Sequence, residues 1–214
     1  MIIGTPARLS RKQQAEANQQ RLLDAALEVF TERGFHGATL EQIAAAAGFT
    51  TGVVYSRFTS KADLFLALLE RTIEQRIADL QRLRRAQVGD VGTALVRSWW
   101  GQVRKRPEWM LVLIEFRVHA ARDPELNAHY AALHARHVQA LAEVMAPDLA
   151  RKGQQATAPP IDEARMVLAL GSGLVLERWA MGDEAIGDLP ERAAATMRRG
   201  MVTQRPARAR GRAK

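Results

Sequence analysis

The stretch Thr39–Lys61, TLEQIAAAAGFTTGVVYSRFTSK, constrains the fold of this chain more than any other. It reads as two short helices around a tight turn. Thr39 and Gln42 stand three apart, the spacing at which a hydroxyl and an amide side chain cap each other's backbone N–H groups. Leu40, Ile43, Ala44 and Ala47 then share one helical face. Residues 44–47 are all alanine, so another helix can approach closely. Gly48 supplies the left-handed conformation that ends a helix, and Phe49 is expected to plug the turn into the core. Thr50 is of the type that caps the next helix, from which Val54 and Phe58 face inward. Thr50, Thr51, Gly52, Val53, Tyr55, Ser56 and Arg57 are left at or near the outer face. Ser60 restarts a helix, with Asp63 in its first turn.

The preceding residues supply a third helix. Leu22, Leu23, Ala26, Leu27 and Phe30 form its apolar stripe and Gly34 is its expected terminator. Three short helices sharing one core make a small head, and a second helix led by small and hydroxylated residues has the shape that enters a DNA major groove. The bland alternative is a plain helical hairpin, with Thr39 and Thr50 serving only as caps and Tyr55 as a half-buried aromatic.

The run Arg21–Glu70 closely resembles the N-terminal domain of TetR-family transcriptional regulators. The resemblance rests on the Ala-Leu-x-x-Phe-x-x-x-Gly-Phe run, the Thr39 start, Ile43-Ala44, Gly48, Gly52, Tyr55, Phe58, Lys61 and Leu64. It implies that Thr39, Tyr55 and Lys61 contact phosphates, with Ser56 adding another, while Thr50, Thr51, Gly52 and Val53 occupy the recognition positions. The chemistry agrees: hydroxyls and ammonium groups bind phosphate, glycine permits close backbone approach, and valine can touch a thymine methyl. Thr51, Ser56, Arg57 and Thr59 depart from frequent family choices, and these are the positions on which the DNA sequence read would depend.

The rest of the chain bounds the fold class. Of 214 residues 47% are apolar, which supports a real core, and long Ala/Leu/Arg/Glu-rich stretches argue for an all-α protein. The expected organisation is a flexible arm at 1–17, a helix-turn-helix domain at 18–64, a helical regulatory and dimerisation domain at 65–200, and a disordered basic tail at 201–214. No apolar run is long enough to span a membrane, the N-terminus lacks the pattern of a signal peptide, and a cytoplasmic location is expected. With no cysteine, disulfides, thiol catalysis and Cys-ligated zinc are excluded.

The formal net charge of +8 is not spread evenly. Residues 1–61 carry 7 basic and 5 acidic side chains, residues 62–197 carry 17 and 18, and residues 198–214 carry 7 and none. The tail therefore supplies most of the excess, and the charge gives the head little support as a DNA reader. The tail is a candidate for raising non-specific DNA affinity through counterion release, and a solvated tail with no role is the alternative.

Beyond the head, helical spacing predicts a long helix from Lys61 into the mid-80s, broken by Gly89-Asp90 and Gly92. Helices follow at about 93–104, from Pro107, and from Asp123-Pro124 to about Leu149, then a loop from Gly153 to Pro160. Two more are expected at about 162–181 and 190–199. The resemblance implies that these last two pair with their copies in a four-helix bundle, and a palindromic operator demands a homodimer in any case. Trp99, Trp100, Trp109, Phe116, Met166 and Trp179, with Met110, are candidate walls of a pocket for a small apolar or cationic effector. Core packing is the alternative for each.

No catalytic residue, cofactor or metal site is expected. His119, His129, His134 and His137 fall in one region, but hydrogen-bonded or solvated histidines explain them better than a metal. Gly171-Ser172-Gly173 is not a nucleophile elbow. The expected function is a sequence-specific DNA-binding repressor released from its operator by an effector. The alternatives are an activator, or an architectural DNA-binding protein that ignores small molecules.

Overall fold

The computed structural model describes residues 10–86, 91–151 and 154–204. They form an all-α protein with one small ribbon. The head contains α1 (Arg11–Gly37), α2 (Leu40–Ala47) and α3 (Thr51–Tyr55), and α4 (Lys61–Arg85) leaves it. The larger domain continues with α5 (Val91–Lys105), α6 (Pro107–Ala120), α7 (Pro124–Arg151), β1 (Gln154–Ala156), α8 (Pro160–Met181), α9 (Asp183–Ile186), α10 (Leu189–Met201) and β2 (Val202–Gln204).

Four expectations need correction. Helix α1 begins at Arg11, because Ser10 and Gln13 form a capping box, so 11–17 are helix rather than arm. This polar extension carries no apolar stripe to announce it; residues 1–9 lie outside the described residues. Gly92 sits in the first turn of α5, where backbone N–H groups have no intrahelical partner to lose, and it breaks nothing. Gly89 and Asp90 lie outside the described residues.

The loop at 153–160 and the tail also share a surprise. Gln154–Ala156 pairs antiparallel with Val202–Gln204, so order continues past 201. Three-residue strands are too short to show an alternating pattern, and their pairing is set across the chain. Residues 205–214, the rest of the expected tail, lie outside the described residues.

One core joins the head to α4 and α6. Phe30, Phe35, Phe65 and Phe116 are fully buried, and the Phe65 and Phe116 rings stack with centroids 4.2 Å apart. Phe35 meets Phe116 at 5.1 Å and Phe65 at 5.4 Å, both edge to face. Each such pair contributes about 0.5–1.5 kcal/mol beyond its burial. Two further apolar clusters lie in the larger domain, around Leu80, Val138 and Leu141, and around Trp100, Val103 and Val175.

Candidate nucleic-acid interface and ligand cavity

The reader is assembled by local caps. The Thr39 hydroxyl accepts the Gln42 N–H at 3.3 Å, and Gln42 accepts the Thr39 N–H at 3.1 Å. Gly48 closes α2 at φ 69°, ψ 33°, a conformation costly for any residue with a Cβ. Arg21 of α1 seals the turn: its guanidinium donates to the Ala47 carbonyl at 3.0 Å and lies 4.9 Å from the centre of the Phe49 ring. Sequence reasoning missed this arginine, which lies outside the motif it serves. Thr50 stands at the head of α3 but its side chain makes no cap; only its carbonyl does, accepting from the Val53 N–H at 3.0 Å.

Val54 is fully buried and Phe58 packs against the core, which turns the opposite side of α3 outward. Thr39, Thr50, Gly52, Tyr55, Ser56 and Arg57 are exposed, and Thr51 and Val53 are half-buried. Tyr55 is 53% exposed, large for an aromatic ring, and its hydroxyl donates to Glu41 at 3.3 Å. The Glu41 carboxyl is held below its ordinary range, first by a backbone N–H, then by the Thr39 hydroxyl and Tyr55. The Tyr55 hydroxyl, expected at a phosphate, is thus engaged by a carboxylate in the free protein. Ser56 donates to the Val53 carbonyl at 2.8 Å and Arg57 reaches the Ala15 carbonyl at 3.4 Å.

Lys61 departs from the simple phosphate role implied by the resemblance. Its ammonium donates to the carbonyls of His36 at 3.0 Å and Ala38 at 2.9 Å, above the Phe35 ring. Burial lowers its pKa. An ammonium has three donors, so one remains for other contacts. Lys61 is therefore a clamp between α4 and the residues that lead into α2.

A second clamp crosses from the larger domain. Gly34 interrupts α1 at φ 71°, ψ 171°, and the next N–H, that of Phe35, donates to the Glu115 carboxylate of α6 at 2.7 Å. A Cβ on Gly34 would strain this backbone conformation and, at 2.9 Å from the Glu115 carboxylate, push it off the Phe35 N–H.

Behind these clamps lies a cavity of about 650 Å³, walled by α4, α5, α6, α7, α8 and α10. Trp99, Trp109 and Met110 line it. The other expected wall residues do not. Trp100 and Phe116 point into the packed clusters and are 2% and 0% exposed, whereas Met166 and Trp179 are 44% and 45% exposed. The reason is helical phase: α8 turns Gly171 and Leu174 toward the cavity, which leaves Met166 and Trp179 outside. Gly171 makes room for an indole, since a Cβ there would lie 3.0 Å from the Trp99 ring.

Polar wall residues were missed. Arg76, Tyr130, His134, His137 and Glu163 all reach the cavity. His137 is pushed down to about 4 by burial, then by Arg76 and His134. His134 is lowered by burial, Arg117 and Arg165. Burial raises Tyr130 and Glu163, the latter opposed by Arg198. Glu163 is 3% exposed, and its Oε1 has no hydrogen-bond partner. A signal existed for Arg76: it sits three residues after Ile73 and four before Leu80, within the apolar stripe of α4. Among the described residues no three His, Asp or Glu side chains gather as a metal site would require.

A small helix-turn-helix head joined by one long helix to a cavity-bearing helical domain defines a class of regulatory protein with reader and sensor in one chain. The family models place the chain within that class: "Bacterial regulatory proteins, tetR family" matches residues 22–68, and "BetI-type transcriptional repressor, C-terminal" matches 90–205. The chain belongs to the TetR family. It is 28% identical over 173 residues to the transcriptional repressor AcnR of Corynebacterium efficiens, covering 79% of this chain and 86% of AcnR. It is 49% identical over 63 residues to the regulator SrpR of Pseudomonas putida, 28% of this chain and only 30% of SrpR. Several relatives are thus matched through the head alone. Among solved structures, FadR of Bacillus subtilis in complex with stearoyl-CoA aligns with TM-score 0.68 at 16% identity, over 83% of this chain and 96% of FadR. A TetR transcription regulator of Haloarcula marismortui aligns with TM-score 0.72 at 16% identity, over 88% and 100%. At these identities the likeness speaks for the fold.

Proposed function

We propose that the protein is a homodimeric, sequence-specific repressor, released from a palindromic operator when a small molecule enters the cavity. The observation that carries this reading is the placement of α4, which starts at Lys61 beside the reader and walls the cavity from Leu69 to Leu83. A ligand that favours one position of α4 shifts the population of head arrangements, and with it operator affinity. The cavity supports this over an architectural role. Thr50 to Val53 read bases, and Thr39, Tyr55, Ser56, Arg57 and the third donor of Lys61 hold phosphates. No catalytic role is assigned.

The homodimer reading is supported by α8. Met166, Ala169, Gly173, Leu176 and Ala180 are exposed and recur at alternating three- and four-residue spacing, the seam of a helix pair. A Cβ on Gly173 would meet nothing within the protomer. Gly173→Arg is therefore expected to leave the protomer folded and convert dimer to monomer in sedimentation; an unchanged dimer would place the interface elsewhere.

Footprinting on DNA flanking the gene tests the whole. The expected result is one symmetric protected site with half-sites about one helical turn apart, lost in Tyr55→Ala. Uniform coating of any fragment would instead mark an architectural protein. The same footprint, placed relative to the promoter, separates repression from activation. No helix among the described residues is long and apolar enough to cross a membrane.

A further inference from the structure

The cavity wall holds a cationic side chain that the protein itself leaves unmatched. Arg76 lies between Ile73 and Leu80 on the apolar face of α4. It makes no hydrogen bond or ion pair among the described residues. Asp79 attracts it from one turn away, but that carboxylate is bound to Arg82. Burial opposes the guanidinium's charge, which cannot be relieved by losing a proton at neutral pH. On the neighbouring α7 stands His137, which also lines the cavity and is kept neutral by burial and by nearby Arg76. A neutral imidazole still offers one N–H donor. Of the two carboxylates on the wall, Asp79 is paired with Arg82 and Glu163 already feels Arg198. Among the described residues, Arg76, Arg82, Arg117 and Arg198 thus face only Asp79 and Glu163 around the cavity, an excess of positive charge, while the surrounding wall of Trp99, Trp109, Met110 and Leu113 is apolar.

Resting on the reading of this cavity as the effector site, we propose that its ligand is an amphipathic carboxylate: an apolar body against the Trp99 and Trp109 walls, and one carboxylate on the Arg76 guanidinium with His137 beside it. A guanidinium fork matches a carboxylate in two parallel hydrogen bonds, which are stronger and more directional than neutral ones. The charged end would be gripped by α4, the helix that enters the head, so that the group which selects the ligand is also the one that transmits it. A cationic ligand, the other expectation from the sequence, would meet Arg76 unscreened and would have to compete with Arg198 for Glu163.

The test measures binding to the full-length protein at neutral pH by calorimetry, with three probes of equal chain length: decanoate, 1-decanol and decylammonium, below their micellar concentrations. Decanoate is expected to bind about tenfold or more tighter than decanol, the usual gain from a charge-assisted contact. R76Q is expected to bring decanoate to the level of decanol while leaving decanol unchanged, so that decanol binding reports an intact cavity. R76K, which keeps the charge without the fork, should retain part of the preference. Equal binding of decanol and decanoate by the wild type, preference for decylammonium, no binding of any probe, or an R76Q that binds decanoate as before would each overturn the proposal. Operator release is scored separately. A protein that binds decanoate through Arg76 yet stays on its operator keeps this inference and loses the effector reading. One that releases DNA equally with decanol does the reverse.

Discussion

Phe35 and Trp99 are both large aromatics on helices, yet they meet opposite surroundings. Phe35 touches the rings of Phe30, Phe65 and Phe116 and is 2% exposed. Trp99 borders about 650 Å³ of unfilled space and leans on Gly171. The head region ties most of its polar groups: Lys61, Arg21 and Glu115 each satisfy a backbone group, although Nε of Arg71, whose Nη1 reaches Asp24 of α1, is buried without a partner. The cavity leaves Glu163 Oε1 without a hydrogen-bond partner, and gives Arg76 only the charge of Asp79, which is paired with Arg82. A reader of DNA must present one shape, which close packing enforces. On the proposed reading, a sensor must instead hold room and unsatisfied polarity for something else.

The contrast is broken most directly by truncation. Phe35→Ala should cost about 3–5 kcal/mol in urea unfolding, because its neighbours are locked by other rings and cannot fill the void. Trp99→Ala, beside space already empty, should cost clearly less while weakening ligand binding more. Equal costs would mean that the cavity is closed in solution and the contrast false.

Acid probes the sensor side. The His137 pKa in the fold, about 4, lies below its ordinary value near 6.5. The unfolded chain therefore takes up the proton first. The contribution of neutral His137 is complete above pH ~6.5 and is lost as pH falls toward ~4, by at most about 3–4 kcal/mol. Thermal melts from pH ~7 to ~4 should show this loss in the wild type and a shallower one in His137→Asn. Identical slopes would remove His137 from the account.

Caps probe the head. Thr39→Ala should lose about 1 kcal/mol of stability, since it removes half of a formed capping box. Thr50→Ala should be near neutral in stability, since no side-chain cap exists to lose. Both should weaken operator binding if their hydroxyls meet phosphate or bases, so a Thr50→Ala that unfolds the head would show that the two threonines have been misread.

The smallest effect sharpens the boundary between the regions. Gly171→Ala should displace the Trp99 ring and change ligand affinity by on the order of 1 kcal/mol, about fivefold. Operator affinity without ligand should not move. If it did, the cavity wall would influence the reader even when empty.

Legibility followed the range of the forces. The capping box, the Gly48 turn, the buried Val54 and the long helix from Lys61 are set by residues three or four apart, and the sequence carries all of them. The length of α1 was hidden because its first turns are polar. The ribbon joining residues 154–156 to 202–204 was hidden because strand pairing depends on a partner far along the chain. The two clamps, Lys61 on the carbonyls of His36 and Ala38 and Glu115 on the Phe35 N–H, span 23 residues and more and have no local signature. The cavity was half legible: Trp99 and Trp109 face it, while Trp100, Phe116, Met166 and Trp179 do not. Periodicity can show that a residue lies on an apolar stripe. It cannot show whether the facing helix fills the space.

What this sequence determined by itself is therefore the reader: which helices form, where they stop, and which small and hydroxylated side chains face outward. Short-range caps, turns and helical spacing suffice for that. Only the tertiary structure decided that Lys61 clamps, that Glu115 binds the head to α6, and that Arg76 and His137 face a void. Those depend on how six helices pack around one another, and a cavity is defined by side chains that do not meet.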